Sequence, residues 1–247
     1  MHLGNAGCDL GELKKVIEYI KARDHTYWLG LGDYIDAIVV NDAKRFDPRS
    51  IDQSYKIADL SNLIRDQIKY IIDLLKPIAG RGLAVFCGNH EEHIRLHYYY
   101  DVLLELAREL SLPAMGYDGF VRLHFHRTKS EGRNSFDIYA THGFGGSRRS
   151  GGKVNKLEDL CYHFDADIIM VGHEHKKIIA PPVLRLGLNN ACQLIQKKQL
   201  AVMTGSFLRG YVEGHTSYVE RNGYPPTDLG VVKISIAPYH NEINASL

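Results

Sequence analysis

The sequence predicts a mixed α/β domain, with a sheet core, flanking helices and a last third made mainly of strands. Three observations predict it. Over the first two-thirds, short apolar runs alternate with amphipathic segments of helical period. After residue 178 the apolar residues fall in short runs broken by Gly and Pro, which is a β pattern. A length of 247 residues, 45% hydrophobic and 24% charged, fits one globular domain over 1–247 and excludes disorder and coiled coil.

The elements follow in order. Asp9 and Glu12 form a capping-box pattern ahead of Leu10, Leu13, Ile17 and Ile20, so a helix starts there and ends near Arg23. Residues 26–31 read as a buried strand that breaks into Gly32-Asp33. Residues 37–55 are polar and irregular. Ile57, Leu60, Leu63, Ile64, Ile68, Ile71, Ile72 and Leu75 predict a long amphipathic helix over 57–76, stopped by Pro77. Residues 83–87 form a second buried strand, and one helix is expected over 91–110, with Tyr98, Tyr99 and Tyr100 packing within it. Strands at 119–126 and 135–141 flank a polar stretch. Val154, Leu157, Leu160, Cys161 and Phe164 mark a helix, and 168–171 a further strand.

Composition narrows the function classes. The net charge of +1 points to neither nucleic acid nor a membrane surface for the chain as a whole, although a local basic patch stays open. No apolar run approaches the ~20 residues that cross a bilayer. The opening MHLGNAGCDLGELKK lacks the basic-then-apolar pattern of a signal peptide. Four dispersed cysteines without CxxC argue against disulfides and thiolate zinc, and a cytoplasmic protein is expected.

Four expected strands end in polar clusters: Gly32-Asp33-Tyr34-Ile35-Asp36, Gly88-Asn89-His90-Glu91, Thr141-His142-Gly143 and Gly172-His173-Glu174-His175. Strand C-termini line the ligand crevice of an α/β sheet. The reading therefore brings Asp33, Asn89, His90, His142, His173 and His175 together. Carboxylate, amide oxygen and imidazole suit Mn, Fe or Zn.

GDYID, GNHE, THG and GHEH, in that order over about residues 2–175, resemble the calcineurin-like metallophosphoesterases, closest to phage and bacterial members. That family's pattern is DxH, GD, GNH[DE], H and GHxH. The resemblance implies a β-sandwich flanked by helices (αββα), two divalent metal ions, Mn with Fe or Zn as alternatives, and hydrolysis of phosphate mono- or diesters by a hydroxide that the two metals activate. Position by position, it implies that Asp33 bridges the metals. His2 and His175 complete one site, and Asn89, His142 and His173 the other. His90 then serves as proton donor and charge stabiliser beside the leaving group.

One departure stands out. The family's first motif places an Asp two residues before a His, yet here Met1 alone precedes His2. Relative to the family the chain is read as N-terminally truncated, without the Asp and its strand. A real loss of that ligand is the alternative, and it would weaken the first metal more than the second. A phosphate ester is the expected partner, and the oligomeric state is open.

The stretch 143–153 is glycine-rich and basic, but it fails the GxxxxGK[ST] frame. Arg148 and Arg149, with Lys153 and Lys156, form a candidate rim for extra phosphates or a nucleic-acid backbone. A nuclease is thus one alternative function, and a binding scaffold with impaired catalysis is the other. Asp36 fits a cap or support as well as it fits catalysis. His93 and His97, four residues apart, fit a solvated or substrate-side face, and HEEH at 90–93 is not HExxH.

Overall fold

The computed structural model describes residues 1–37, 47–52, 54–55, 62–126, 133–214 and 216–247. The parts of the expected 37–55 excursion at 38–46, of the helix at 57–61 and of the polar stretch at 128–132 lie outside the described residues. The elements run α1 (Leu10–Lys21), β1 (Trp28–Gly30), α2 (Leu63–Leu75), β2 (Gly82–Val85), α3 (Asn89–Tyr98), α4 (Val102–Leu110), β3 (Asp118–His126), β4 (Arg133–Thr141), α5 (Ser150–His163), β5 (Ile168–Val171), β6 (Ile178–Ile179), β7 (Val183–Leu188), β8 (Leu194–Met203), a one-turn α6 (Tyr218–Arg221), β9 (Lys233–Ala237) and β10 (Glu242–Ser246).

Strand periodicity sorts the core into layers, because successive side chains on a strand point to opposite faces. On the first side of the β1/β2 pair, Trp28, Val85 and Cys87 pack with Leu13 and Ile17 of α1, Ile68 and Ile71 of α2 and Leu106 of α4. On the other side, Leu29, Leu31, Ala84 and Phe86 meet Ile138 and Ala140 of β4 and Ile168 of β5, together with Ile234 and Ile243 from the β9/β10 hairpin. The alternate residues Tyr139, Ile169, Val171, Ala201 and Met203 face Leu157, Leu160 and Cys161 of α5. The order is therefore helices, sheet, sheet, helix, which is the layering expected of an αββα sandwich.

The second sheet runs β3-β4-β5-β8-β6, with β7 paired to β8. β1 and β2 are parallel, and so are β4, β5 and β8. Parallel pairing puts the C-terminal ends of β1 and β2, and of β4 and β5, at common edges, and all four polar clusters follow those ends.

Local chemistry explains the boundaries. Asp9 caps α1 by accepting from the Glu12 amide at 3.0 Å. α2 stops at Leu75, and Pro77 sits in the 3₁₀ turn that follows. The single helix expected over 91–110 is instead two. Tyr99 takes a left-handed φ of 55° at the end of α3, and Asp101 caps α4 by accepting from the Leu104 amide at 2.8 Å. Tyr99 is 94% exposed, which overturns the expected packing of the tyrosine run inside one helix, whereas Tyr98 and Tyr100 do pack against the core. No helix among the described residues is long and apolar enough to cross a membrane.

Phe86 is fully buried between the sheets, so Phe86→Ala leaves a cavity where both layers meet. It should lower the unfolding free energy by about 3–5 kcal/mol. Urea titration followed by the fluorescence of Trp28, the chain's one tryptophan, checks this.

Candidate metal centre

The site begins with two turns packed backbone to backbone. Gly32 has φ +90°, and a Cβ there would lie 2.5 Å from the Gly88 amide nitrogen. A Cβ on Gly88 would sit 2.2 Å from the Asp33 amide nitrogen. Only glycine at both positions allows this approach. The contact brings Asp33, at the end of β1, onto the first turn of α3.

Glu91 locks that arrangement. Its buried carboxylate accepts from the amides of Asp33 at 2.8 Å, Tyr34 at 2.8 Å, Ile35 at 3.4 Å and Gly88 at 2.9 Å. Burial and the neighbouring Asp33 charge push the Glu91 pKa up. Asp33 itself has φ 52°, a left-handed conformation that costs on the order of 1–3 kcal/mol and needs such support. Its Oδ1 accepts from the His90 amide at 3.1 Å, at the positive end of α3. Burial works to raise the Asp33 pKa, but the His90 charge and the His142 hydrogen bond hold it well below the usual carboxylate range.

The other donors gather around Asp33. Its Oδ2 lies 3.4 Å from His142 Nε2 and 3.7 Å from His2 Nε2. His2 Nε2 faces His175 Nε2 at 3.1 Å. His142 Nε2 is 3.0 Å from Asn89 Oδ1 and 3.2 Å from His173 Nδ1. Two groups of close ligand atoms result, His2–Asp33–His175 and Asp33–His142–His173, sharing Asp33. The expected juxtaposition of Asp33, Asn89, His90, His142, His173 and His175, with His2, is thus present.

Proton placement shows why a cation fits. His142 Nδ1 lies 2.5 Å from the Leu31 carbonyl, an acceptor only, so that nitrogen carries the ring's proton. In the neutral ring the Nε2 lone pair then points at Asn89 Oδ1, Asp33 Oδ2 and His173 Nδ1. A proton or a cation there would relieve the contact with the Asp33 carboxylate, and the His142 pKa is raised: burial opposes the charge, but the Asp33 hydrogen bond and charge favour it. On the other side, burial holds His2 well below the ordinary imidazole value and lowers His175 to about 3, against the pull of Asp33. Burial and the His142 charge lower His173 as well. Three imidazoles therefore stay neutral at pH 7, the state a metal requires. The residues could hold a metal ion.

Two acidic residues fill roles beyond the expected ligand set. Asp36, 5% exposed, has Oδ1 3.7 Å from His2 Nδ1, and a third close group is His2–Asp36–His90. At that distance the Asp36 carboxylate is a charged neighbour of His2 and not a hydrogen-bond partner. Asp36 also accepts at its carbonyl from His90 Nδ1, which fixes the His90 tautomer. Glu91 is the other. Their signal in the sequence was position only, within GDYID and GNHE.

The basic rim is smaller than expected. Lys153 lies inside α5 and is 6% exposed, and Lys156 follows one turn later; both pair with Glu174, so neither is open to phosphate. Arg148 and Arg149 are exposed and stand outside the ligand groups. Arg148 donates to the Asn222 carbonyl at 3.0 Å and lies over the Tyr224 ring. His93 and His97 lie side by side on α3, their ring centroids 4.3 Å apart and their planes tilted by 45°, and neither joins a close ligand group among the described residues.

No protein-family model and no curated protein matches the chain. Among solved structures it is similar to a double mutant of Vps29 from Entamoeba histolytica, at 17% sequence identity, covering 72% of this chain and 88% of that one, with a TM-score of 0.30.

The lowered His175 pKa makes metal-free stability depend on pH. Between about 3 and the ordinary 6.5 the unfolded chain binds a proton that the native ring refuses. Stability therefore rises with pH across that window, and His175 contributes a slope of at most ~1.4 kcal/mol per pH unit. His90 and His142, with raised values, act oppositely: their contribution is full below 6.5 and is lost above it. Urea unfolding of metal-stripped protein at several pH values should show the acid-side slope, flattened in His175→Gln.

Proposed function

We propose that this chain is a calcineurin-like, metal-dependent phosphoesterase that hydrolyses phosphate mono- or diesters. The observation that carries this reading is the convergence of imidazole, amide and carboxylate donors on both sides of Asp33 Oδ2. His2, Asp33 and His175 would hold one cation, and Asp33, Asn89, His142 and His173 the other. Without thiolates, the donor set favours Mn, with Fe or Zn as alternatives. Such a pair supplies Lewis acidity, drawing charge from the phosphoryl oxygens and acidifying a water.

The chain's own residues do the rest. Asp33 would supply a carboxylate to each cation. Asn89 adds an oxygen without charge. The His90 proton on Nδ1 is committed to the Asp36 carbonyl, so its Nε2 is the end that exchanges protons. Burial lowers the His90 pKa, but the Asp33 and Asp36 charges outweigh it and raise the value, which favours the cation at neutral pH. As the oxygen of a water that has lost one proton to solvent bonds to phosphorus and the ester P–O bond breaks, His90 Nε2 would give its proton to the departing alkoxide.

A second reading, a nuclease, is favoured by the rim. Exposed Phe144, Arg148, Arg149 and Tyr218 flank loops joined to the site: the Ser147 amide donates to Glu174, and the Asp228 amide to the His175 carbonyl. Aromatic rings stack on bases and arginines bind phosphates. Faster cleavage of oligonucleotides than of small esters, with a steep salt dependence lost in Arg148→Ala/Arg149→Ala, distinguishes it. A non-catalytic binding scaffold is the remaining alternative.

Hydrolysis of an aryl phosphomonoester and an aryl phosphodiester with added Mn(II) tests the main reading. Asp33→Asn and His173→Ala should each abolish turnover. His90→Ala should lower kcat about 10²–10⁴-fold while metal content stays near wild type. Full activity in all three variants, or no Mn(II) uptake by calorimetry, overturns it. The second outcome favours the scaffold.

A further inference from the structure

Glu174 lies between His173 and His175, and both of these have left-handed backbone, with φ 66° and 51°. Such residues persist only where their surroundings over-determine them. The Glu174 side chain is 2% exposed, and Lys153 and Lys156, one turn apart on a single face of α5, both reach it. Lys153 Nζ donates to one carboxylate oxygen and also to the Glu174 carbonyl at 3.2 Å. Lys156 Nζ donates to the other oxygen and also to the Phe144 carbonyl at 2.6 Å. The Ser147 amide donates to Glu174 Oε2 at 3.3 Å. One buried carboxylate thus ties α5 to both loops of the second donor set, 142–147 and 172–175.

We infer that the Lys153–Glu174–Lys156 triad is a positioning clamp that fixes the backbone of His173 and His175, and the loop after His142, in the arrangement that receives a divalent cation. Its metal-binding consequence rests on the proposed function; its hold on the backbone does not. A surface ion pair would do little of this, since solvated pairs are weak and loosely held. Here Glu174 and Lys153 are buried and Lys156 is mostly covered, so the carboxylate keeps its partners or leaves Lys153 buried without one. The clamp also explains why Lys153, at the end of a glycine-rich segment, lies in the interior instead of on a phosphate-binding rim.

Two variants test it. Glu174→Gln removes the charge alone. Lys153→Met/Lys156→Met/Glu174→Met removes the whole ion set and keeps the volume apolar, so that a folded protein is available if the single change unfolds the chain. Hydrogen exchange of metal-free protein is measured over 172–177, and Mn(II) affinity by calorimetry. In the folded variants, exchange over 172–177 should quicken at least tenfold while β4 and β5 stay unchanged, and Mn(II) should bind at least tenfold more weakly. Exchange within twofold of wild type overturns the clamp, as does quickened exchange with unchanged Mn(II) affinity. Should the wild type take up no Mn(II), the phosphoesterase reading fails, and the exchange measurement still decides whether the triad holds the backbone.

Discussion

The buried negative charge of Asp33 is the constraint on which the rest of the site depends. Its side chain is almost wholly removed from water, in a conformation that strains its own backbone. A buried carboxylate is tolerable only when its oxygens are engaged. Here Oδ1 takes the His90 amide, and Oδ2 stands between the imidazoles of His2 and His142. Glu91, a second buried carboxylate, holds the turn from below by collecting four amides. Two acids so close repel each other, and the ring of histidines offsets that repulsion. Without a metal, that compensation shows as raised pKa values for His90 and His142, which the Asp33 charge favours against burial. A cation would complete it.

The sandwich exists to make this meeting possible. Asp33 and Asn89 follow strands of one sheet, while His142 and His173 follow strands of the other. Parallel pairing within each sheet sets neighbouring strand ends side by side, and the packing of Phe86 and Ala84 against Ile138 and Ile168 brings the two edges together. Loop geometry then depends on side chains that touch no reacting atom. Gln67 of α2 accepts from the Ala37 amide, Asp228 accepts from the Lys177 amide, and Glu174 is gripped by lysines. The resulting stiffness suits a site in which unlike donors must be presented without rearrangement.

Much of this was legible in the sequence because its signals were local. Asp9 before a helical apolar period gave α1, and the alternation of Leu29, Leu31, Ala84 and Phe86 is that of buried strands. The glycine-led clusters at strand ends were readable because glycine marks close backbone approach, and Gly32 against Gly88 is such an approach. What stayed hidden was tertiary. Nothing between 91 and 110 is a helix breaker, and the division there depends on Asp101 capping and on Tyr99 adopting a left-handed backbone that few residues other than glycine take. Lys153 read as a rim cation because its partner lies 21 residues away on another loop. Asp36 and Glu91 were visible as acids, but their tasks, facing His2 and gathering amides, depend on turns that only the folded chain forms.

The proposed function stands on Asp33 being shared by two cations, and electron paramagnetic resonance of the Mn(II)-loaded protein asks this most directly. A carboxylate bridge between two Mn(II) ions couples their spins, so wild type should give the multiline signal of an exchange-coupled pair, and Asp33→Asn should not. Isolated six-line Mn(II) spectra from wild type at saturating metal would contradict the shared centre.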